Sequence, residues 1–561
     1  MYGMQRDLPP VAVVQHDPTV GDVAGNREAI LERFERAADA GAAVVVTPEL
    51  ALLGYPPRDL LHREAVLDAE REALSALRQA TADGPALVVG HTARNAGEGP
   101  PLTNSATVFA DGEARATYAK RLLPTYDVFD EHRYFSSGES PTTVEIDGAT
   151  VGLTVCEDAW YDQAVTGQRR HAANPIAPYE GVDLLLNLSA SPFHVGKPAD
   201  RIERFGGHAA AVDAPVVFAN QVGGNDDILF DGVSFVVDPS GEVTAMGALG
   251  EADIVVERWD GDDATPALPN REGVGGLRRM LAVGVRDYLD KTGFEDVVVG
   301  LSGGIDSSVA AAVAVDAVGP RHVYGVTLPS HVTAEANRSD AEQVARGLGI
   351  EFGERDIEEI AADSVAAIDG LTDGDVAGLT RENVQARVRW LLLMGVANDR
   401  GALVLTPDNK SEAAVGYCTL YGDAVGALAP LGDCTKRRVY ALARAFNDDP
   451  PVGGDAPIPR SVLEKEPTAE LAEGQTDADE IPPYEVIDPV VRAYVGGKRR
   501  VDEIVATTGA DREQVETVIR RLTRSEFKRE QSPPALRVTP RTAARRTPRS
   551  GSATRCRRPS S

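Results

Sequence analysis

Three residues in the first half of the chain could together hydrolyse an amide. Glu49 follows the apolar segment VVVT, Lys120 lies just before a turn, and Cys156 follows the apolar stretch VGLTV. A carboxylate can accept the proton of a thiol, an ammonium can stabilise a tetrahedral oxyanion, and a thiolate can attack a carbonyl carbon. A lone cysteine is more often a buried structural residue, so the prediction depends on all three positions together.

A second chemical signal follows the apolar run VVVGL (297–301) and consists of Ser302, Gly303, Gly304, Ile305, Asp306, Ser307 and Ser308. The glycines let the backbone approach an anion, the serine hydroxyls donate hydrogen bonds, and the N-terminus of the next helix attracts negative charge. The pattern therefore predicts a pyrophosphate site. The chain has no GxxxxGK[ST] motif, so this is not the γ-phosphate loop of kinases and GTPases. A flexible Gly/Ser turn is the alternative, which the position between a buried strand and a helix disfavours.

The elements that must position these residues indicate two α/β domains. Residues 10–260 alternate short β-branched runs with helical stretches such as NREAILERFERAADAG, which is typical of a layered α/β domain. The apolar runs after residue 276 favour parallel strands that are buried on both faces. The predicted organisation is a first domain over residues 1–262, a linker over 263–275, a second domain over 276–538 and a basic tail over 539–561.

The first domain resembles the nitrilase superfamily, in particular the glutaminase domain of glutamine-dependent NAD⁺ synthetases. The resemblance extends over most of residues 10–260, and its most specific part is K-x-x-L-P-x-Y-x-V-F-D-E-x-R-Y-F. It implies an αββα sandwich with a catalytic triad of Glu49, Lys120 and Cys156. It also implies that Glu131 orients the lysine and that glutamine is bound by Tyr126, Ser191 and Lys197.

The second domain resembles the ATP pyrophosphatases through SGGIDSS, and within that group it is similar to the NAD⁺ synthetases. Five segments carry this similarity in the family's order: ENVQARVRWLLLMGVAND, NKSEAAVGYCTLYGDAVGALAPLGDCTKRRVYALAR, EPTAEL, DADEIPPYEVID and EFKREQSPP. The resemblance covers residues 275–535. It implies a doubly wound parallel sheet of the Rossmann-like kind.

The resemblance to the synthetases also implies where substrates bind. Contacts with ATP are implied for the loop from Ser302 to Ser308 and for Thr406, Pro407, Lys436 and Thr468. Contacts with deamido-NAD⁺ are implied for Asn383, Glu412 and Lys528. Asp306 and Glu412 are the implied ligands of a Mg²⁺ ion that accompanies ATP as co-substrate, and oxygen ligands suit that ion.

Two segments depart from the family pattern. Where the family usually has Thr-Thr-Gly or Ser-Thr-Gly before Asn-Lys-Ser-Glu, this chain has Thr406, Pro407 and Asp408. Pro407 removes a hydroxyl and a backbone donor where the family contacts ATP, a loss for which Thr406 could compensate. The similarity also fades after SPPALRVTP. The Arg/Ser/Pro/Thr tail that follows is interpreted as a disordered arm or as an altered end of the gene.

The implied activity is that of a glutamine-hydrolysing NAD⁺ synthetase, a ligase that forms a carbon–nitrogen bond. ATP would convert deamido-NAD⁺ to an adenylate, and ammonia from L-glutamine would displace AMP to give NAD⁺. L-glutamate and diphosphate are the other products, and the reaction is the last step of NAD⁺ biosynthesis. The resemblance further implies a homo-oligomer, at least a dimer through the second domain.

Three other functions are weighed against this one. A synthetase that uses free ammonia and has an idle first domain is disfavoured by the intact Glu49, Lys120 and Cys156. A fusion enzyme that makes another amide is disfavoured by NKSEAAVGYCTLYGD and DADEIPPYEVID. A non-catalytic dinucleotide sensor is expected to have lost a nucleophile or a residue of the phosphate loop, and neither is missing.

Composition limits the remaining function classes. No apolar run in the 561 residues approaches the roughly 20 residues that cross a bilayer, and the N-terminus has no secretory signal pattern. The four cysteines lack the spacing of disulfide frameworks or zinc sites. The net charge is −29, although residues 532–561 contain eight arginines and no acid, so the rest of the chain is very acidic. Such an acidic body disfavours nucleic acid and anionic membranes as partners. We expect a cytoplasmic protein, either from a high-salt cytoplasm or simply an acidic enzyme.

Overall fold

The computed structural model describes residues 8–541 apart from 163, 166–167, 260–265, 268–272, 373–375, 469–470 and 473–475. The chain forms two compact units, Met1–Lys291 and Thr292–Ser561. Most of the predicted linker at 263–275 and the predicted tail beyond residue 541 lie outside the described residues. Within the described part of the chain, no helix is both long enough and apolar enough to cross a membrane.

The first unit is built from β-branched strands and amphipathic helices. Its described strands are β1 (Val11–Gln15), β2 (Val44–Val46), β3 (Ala86–Arg94), β4 (Leu102–Ala110), β5 (Glu113–Ala119), β6 (Thr143–Ile146), β7 (Ala149–Val155), β8 (Ala164–Val165), β9 (Gln168–Arg169), β10 (Leu184–Ser189), β11 (Val216–Asn220), β12 (Val222–Asn225), β13 (Ile228–Asp231), β14 (Phe235–Val237), β15 (Val243–Met246) and β16 (Asp253–Glu257). Its described α-helices are α1 (Val23–Asp39), α2 (Glu64–Ala80), α3 (Lys197–Val212) and α4 (Val274–Thr292). In α1, buried residues recur at helical spacing from Val23 to Ala37, which gives this helix one apolar face.

Two six-stranded sheets form the centre of the first unit. Their strand orders are β16-β1-β2-β3-β4-β5 and β15-β14-β11-β10-β7-β6. Val13 and Val46 of the first sheet share one buried cluster with Leu153 and Leu186 of the second, so the sheets pack face to face. Helices α1 and α2 cover the outer face of the first sheet, and α3 covers the outer face of the second. The predicted αββα sandwich is confirmed.

The second unit has a smaller sheet and more helices. Its described strands are β17 (Val297–Gly300), β18 (Val323–Thr327), β19 (Glu351–Glu354) and β20 (Leu403–Leu405). Its described α-helices are α5 (Ile305–Val318), α6 (Glu335–Leu348), α7 (Glu358–Asp369), α8 (Gly378–Arg400), α9 (Lys410–Val415), α10 (Lys436–Asp448), α11 (Arg460–Glu464), α12 (Tyr484–Val491), α13 (Val501–Thr508), α14 (Arg512–Arg524) and α15 (Glu526–Arg529).

The sheet of the second unit is parallel, in the order β19-β18-β17-β20. Helices α7 and α8 pack on one face, with Val384 and Val388 against Val298 and Val404 of the strands, while α5 contacts the sheet through β17 and β18. After β17 the chain forms β18, which pairs with one edge of β17, and β20 later pairs with the opposite edge. The direction in which strands are added to the sheet therefore reverses at β17. Ligands of open α/β sheets bind at such a reversal, beyond the carboxyl ends of the strands. The predicted doubly wound fold is confirmed, and it puts the phosphate loop at this reversal.

Candidate active sites

Strand ends in the first unit bring an acid, an amine and a thiol into one buried cluster. Glu49 lies shortly after β2, Lys120 directly follows β5, and Cys156 directly follows β7. Glu131 joins them from a short helical turn, and all four side chains are buried. Charged groups remain ionised inside a protein only when they are paired and hydrogen-bonded. The hydrogen bonds of Lys120 therefore decide whether the groups of this cluster are ionised.

Lys120 is held between two carboxylates. Its Nζ donates to Oε1 of Glu49 at 2.7 Å and to Oε1 of Glu131 at 2.8 Å. The side chain of Asn104 and the backbone N–H of Ala190 donate to the two oxygens of Glu49 at 2.7 and 3.0 Å. Burial alone would lower the pKa of Lys120, but Glu131 and Glu49 raise that pKa well above its ordinary value. The amine is therefore a fixed cation beside the thiol.

Asp158 joins the segment before Cys156 to the segment after Lys120. Its Oδ2 accepts the N–H of Val155 at 3.0 Å and the hydroxyl of Tyr118 at 2.7 Å. Its Oδ1 accepts the N–H groups of Arg121 and Leu122 at 3.2 and 2.9 Å. These bonds fix the relative positions of the thiol and the amine.

Cys156 itself adopts a left-handed backbone conformation with φ of 43°, which non-glycine residues rarely do. Burial and the charge of Glu49 outweigh the effect of Lys120 and raise the pKa of Cys156 well above its ordinary value. The resting thiol therefore carries its proton, and a neighbouring base must accept that proton before the sulfur can attack.

Two of the residues predicted to bind glutamine, Tyr126 and Lys197, lie near a carboxylate that sequence reasoning missed, Glu157. The hydroxyl of Tyr126 donates to Oε2 of Glu157 at 2.7 Å, and His171 is hydrogen-bonded to Oε1 at 2.8 Å. Burial and Arg201 lower the pKa of Lys197 to about 8, against the opposing charges of Asp231 and Glu157. Glu157 directly follows Cys156 in sequence, but its burial, which distinguishes it from a surface acid, is visible only in the folded structure.

Ser191 is also buried, and its backbone is hydrogen-bonded on both sides. Its N–H donates to Oδ1 of Asn220 at 2.9 Å, and its carbonyl accepts from Arg201 at 3.3 Å. Arg201 in turn makes a bidentate ion pair with the buried Asp231. The position of Ser191 is thus fixed by the buried polar side chains of Asn220, Arg201 and Asp231.

A cavity of about 260 Å³ opens at the carboxyl end of the parallel sheet in the second unit. The predicted phosphate-loop residues that line it are Ser302, Gly304, Ile305, Asp306 and Ser307. Gly303 and Ser308 instead support the loop: Gly303 has φ of 78°, and a Cβ there would stand 2.1 Å from the carbonyl oxygen of Asn337. The hydroxyl of Ser308 donates to the carbonyl of Gly304 at 2.7 Å.

Asp306, Glu412 and Lys436 form an ion-pair cluster in the wall of this cavity. Lys436 Nζ donates to Asp306 at 2.6 Å and to Glu412 at 2.8 Å. Asn409 and Tyr484 donate to the same two carboxylates, each at 2.9 Å. Burial raises the pKa of Asp306 to about 6, while Lys436 opposes the shift. Burial alone would lower the pKa of Lys436, but the two carboxylates raise it above its ordinary value.

Two further carboxylates, Asp408 and Asp423, line the same cavity and were not predicted. Burial raises the pKa of Asp408 well above its ordinary value, and the charges of Asp423, Glu412 and Asp306 add to the effect. Pro407 also lines the cavity, whereas the hydroxyl of Thr406 donates to the carbonyl of Asp423 at 2.7 Å. The cavity wall therefore groups carboxyl groups that disfavour one another's ionisation, and a bound cation would relieve that repulsion.

Comparison with known proteins finds a matching family for each half of the chain. Residues 10–266 match the carbon–nitrogen hydrolase family, and residues 278–532 match the NAD synthase family. A glutamine-dependent NAD⁺ synthetase from Synechocystis sp. is 39% identical over 95% of this chain and 96% of that protein. The chain belongs to the glutamine-dependent NAD⁺ synthetase family. As a member it is a ligase that forms a carbon–nitrogen bond.

Further relatives of the same family span both units. A glutamine-dependent NAD⁺ synthetase from Thermotoga maritima is 38% identical over 95% of this chain and 96% of that protein. Among solved structures, the glutamine-dependent NAD⁺ synthetase of Acinetobacter baumannii in complex with ADP is 34% identical. It superposes with a TM-score of 0.76 over 96% of this chain and 97% of that one. The likeness therefore includes both halves of the synthetase.

Some of the other residues predicted to contact substrates of the synthetase line the cavity, and some do not. Thr468 and Lys436 line the cavity, as does Glu412. Asn383 and Lys528 are not among its lining residues. Asn383 accepts the hydroxyl of Thr419 at 2.9 Å, and Lys528 donates to the carbonyls of Gly416 and Cys418 at 2.8 and 2.6 Å. Both therefore hold the segment from Gly416 to Thr419 next to the cavity.

Proposed function

We propose that the chain makes NAD⁺ from deamido-NAD⁺, ATP and L-glutamine, with the first unit as glutaminase and the second as synthetase. The observation that carries the proposal is that one chain combines the cluster of Glu49, Lys120 and Cys156 with the phosphate-loop cavity. Either site alone would fit many amidases or many nucleotide-binding enzymes. The combination fits an enzyme that transfers the amide nitrogen of glutamine to an adenylated acid.

In the glutaminase half, Glu49 accepts the proton of Cys156 as sulfur attacks the side-chain amide carbon of glutamine. Lys120 stabilises the tetrahedral oxyanion because it is a buried, fixed cation. Glu49 then gives the proton to the leaving nitrogen, ammonia departs, and a glutamyl thioester remains on Cys156. Water activated by Glu49 clears the thioester as glutamate. Tyr126, Ser191 and Lys197 are proposed to bind glutamine, together with Glu157, whose carboxylate suits the α-amino group.

In the synthetase half, a carboxylate oxygen of deamido-NAD⁺ attacks the α-phosphorus of ATP and diphosphate leaves. The loop around Ser302 and Ser307 and the N-terminus of α5 supply hydrogen-bond donors for the phosphates. Ammonia then attacks the activated carbonyl carbon, and AMP leaves with the electrons of the broken C–O bond. Lys436 and Thr468 are proposed to contact ATP, and Glu412 is proposed to contact deamido-NAD⁺ from the cavity wall.

Mg²⁺ is the proposed cofactor, with Asp306 and Glu412 as its protein ligands. Among the described residues no group of three or more His, Cys, Asp and Glu side chains forms a ready metal centre. Mg²⁺ needs no such group, because it commonly binds one or two carboxylates together with phosphate oxygens and water. The acidic cavity therefore fits the ion when ATP supplies the remaining oxygens. Bound there, the ion would neutralise the charge that develops on the leaving diphosphate.

A homo-oligomer is also proposed, at least a dimer through the second unit. Helix α8 exposes Leu379, Leu391 and Met394 to solvent, and Tyr421 and Phe527 are exposed as well. Leu391 and Met394 are three residues apart on α8 and so share one face of the helix. A contiguous exposed apolar patch on such a face would mark an association surface. Light scattering of the purified protein, with Leu391→Glu as the disrupting variant, tests the dimer.

Exchange of labelled diphosphate into ATP tests the proposed adenylation directly. The enzyme should incorporate label only when deamido-NAD⁺ is present, because the exchange requires a carboxylate that forms the adenylate reversibly. NAD⁺, which has an amide in place of that carboxylate, is the matched control and should give no exchange. Formation of ADP instead of AMP during turnover would contradict the proposal. A non-catalytic dinucleotide sensor would give neither product.

A further inference from the structure

A buried tyrosine shares the carboxylate that holds Lys120. The hydroxyl of Tyr55 donates to Oε1 of Glu131 at 2.8 Å, the same oxygen that accepts from Lys120. The second oxygen of Glu131 is buried and has no hydrogen-bond partner among the described residues. Among the described residues, two side chains therefore donate to this carboxylate, Lys120 and Tyr55.

The ring of Tyr55 is fixed by its surroundings. It is 2% exposed and packs against Phe129 and Phe230, with ring centroids 6.0 and 6.4 Å away. Burial and the charges of Glu131 and Glu49 raise the pKa of Tyr55 well above its ordinary value. The hydroxyl therefore stays neutral and acts as a donor, and it cannot leave Glu131 by simple rotation of an exposed side chain.

The backbone of Tyr55 is clamped by two amide side chains from the segment around β12. Gln221 Oε1 accepts the N–H of Tyr55 at 3.2 Å, and its Nε2 donates back to the carbonyl at 3.4 Å. Asn225 Nδ2 donates to the same carbonyl at 2.9 Å. Two buried amides are thus used to place one residue that lies outside regular secondary structure.

The hydrogen bonds that fix Tyr55 continue to the C-terminal end of α4. Lys291 Nζ donates to Asn225 Oδ1 at 3.2 Å, to the carbonyl of Gly224 at 2.9 Å and to Asp17 at 2.7 Å. Asp287, one turn earlier in the helix, accepts the N–H of Gly224 at 2.6 Å. A continuous set of hydrogen bonds therefore runs from α4 through Asn225 and Tyr55 to Glu131.

We propose that Tyr55 is a positioning residue of the glutaminase site, which sets Glu131 and through it Lys120, and that Lys291 anchors the network that fixes it. The inference rests on the proposed glutaminase function. Without the hydroxyl, Glu131 keeps only Lys120 as a donor and is free to rotate its carboxylate. Lys120 then loses its fixed position relative to Cys156, and the oxyanion is stabilised less well.

Tyr55→Phe tests the first part of the proposal, because it removes one oxygen and keeps the ring. We expect kcat for glutamate release to fall about tenfold to a hundredfold, the loss of one hydrogen bond to a charged group, with KM changed little. Tyr134→Phe is the matched control, since that hydroxyl donates to Asp59 at 2.7 Å, away from the cluster. Equal kcat values for Tyr55→Phe and Tyr134→Phe would overturn the role of Tyr55.

A pH profile distinguishes positioning from a general loss of structure. Glu131 faces Lys120, Glu49 and Tyr55; burial raises its pKa to about 7, and the hydrogen bond from Tyr55 opposes that shift. Tyr55→Phe should therefore move the acid limb of the glutaminase profile to higher pH. A lower rate with an unmoved acid limb would mean that Tyr55 is only structural and would overturn the proposal.

Lys291→Met tests the anchor, with Arg279→Met on the same helix as control because Arg279 pairs with the exposed Glu251. The first variant should lower kcat and move the acid limb in the direction of Tyr55→Phe, and the second should do neither. If Lys291→Met matches Arg279→Met, the anchor is wrong. Ammonia-dependent NAD⁺ synthesis should survive in all variants. Absence of glutamine hydrolysis in the wild-type protein would contradict the proposed function instead.

Discussion

Replacing Asp158 by asparagine should damage both the stability of the first unit and its catalysis. The carboxylate accepts four hydrogen bonds, two of them at Oδ2 from Val155 and Tyr118. An amide nitrogen at that position is a donor and would face the N–H of Val155. Tyr118 can rotate to accept, but Val155 would keep no acceptor in a buried site. Each hydrogen bond to a charged group contributes about 1.5–3 kcal/mol, so we expect a loss of about 3 kcal/mol.

Urea inactivation of the glutaminase measures this loss. With an m value of about 3 kcal/mol/M for a unit of this size, the midpoint should fall by about 1 M. In the absence of urea, kcat should fall by about a hundredfold, since small displacements of reacting groups cost that much. Asp162→Asn is the matched control, because Asp162 is 42% exposed in its pair with Arg204. If both variants have the wild-type midpoint and rate, the assigned role of Asp158 is wrong.

Three other perturbations have distinct expected outcomes. Asp306→Asn should abolish NAD⁺ formation from glutamine and from ammonia while glutamate release persists; a wild-type ammonia-driven rate at unchanged Mg²⁺ requirement would contradict the metal assignment. Burial raises the pKa of Glu70 from 4.5 to about 7, so its contribution to stability is complete below pH 4.5 and is lost as pH rises to 7, a loss of about 3 kcal/mol. Melting curves at pH 5 and pH 8 should show most of this loss in the wild type and none of it in Glu70→Gln. An equal change in stability between the two pH values in both proteins would refute the role of Glu70. Deleting the chain from Ala543, beyond the described residues, should leave ammonia-dependent synthesis unchanged, whereas deletion from Ala535 removes the buried Leu536 and Val538 and should abolish it.

Residues placed by regular elements were the ones that sequence could predict. Cys156 and the loop around Asp306 each follow an apolar strand directly, and the carboxyl ends of such strands are where α/β folds build sites. The β-branched runs predicted the strands themselves, and their alternation with helices predicted the layers. The roles carried over from the family stay predictions, although the structure brings Glu49, Lys120, Glu131 and Cys156 into one cluster.

Residues placed by long-range contacts could not be found in the same way. Asp158 acts on segments 36 and 37 residues away, and Tyr55 reaches Glu131 across 76 residues. Nothing in the local pattern distinguishes Asp158 from the many other acids of this chain. Asp408 gains its significance from Asp423 and Asp306, which only the folded sheet brings near it. Asn383 and Lys528 match the family in sequence but are not among the residues that line the cavity, and their contacts with deamido-NAD⁺ stay predictions.

Nitrogen-donor dependence of NAD⁺ formation in Cys156→Ala shows whether ammonia release and NAD⁺ formation occur at two separate sites. The wild-type protein and the variant would each be given deamido-NAD⁺, ATP and Mg²⁺ with either glutamine or ammonia, and NAD⁺ would be quantified. A melting curve of the variant would establish that it is folded. With two separate sites, the variant should make no NAD⁺ from glutamine and should make it from ammonia at the wild-type rate. Equal loss with both donors in a folded variant, or continued use of glutamine, would contradict it.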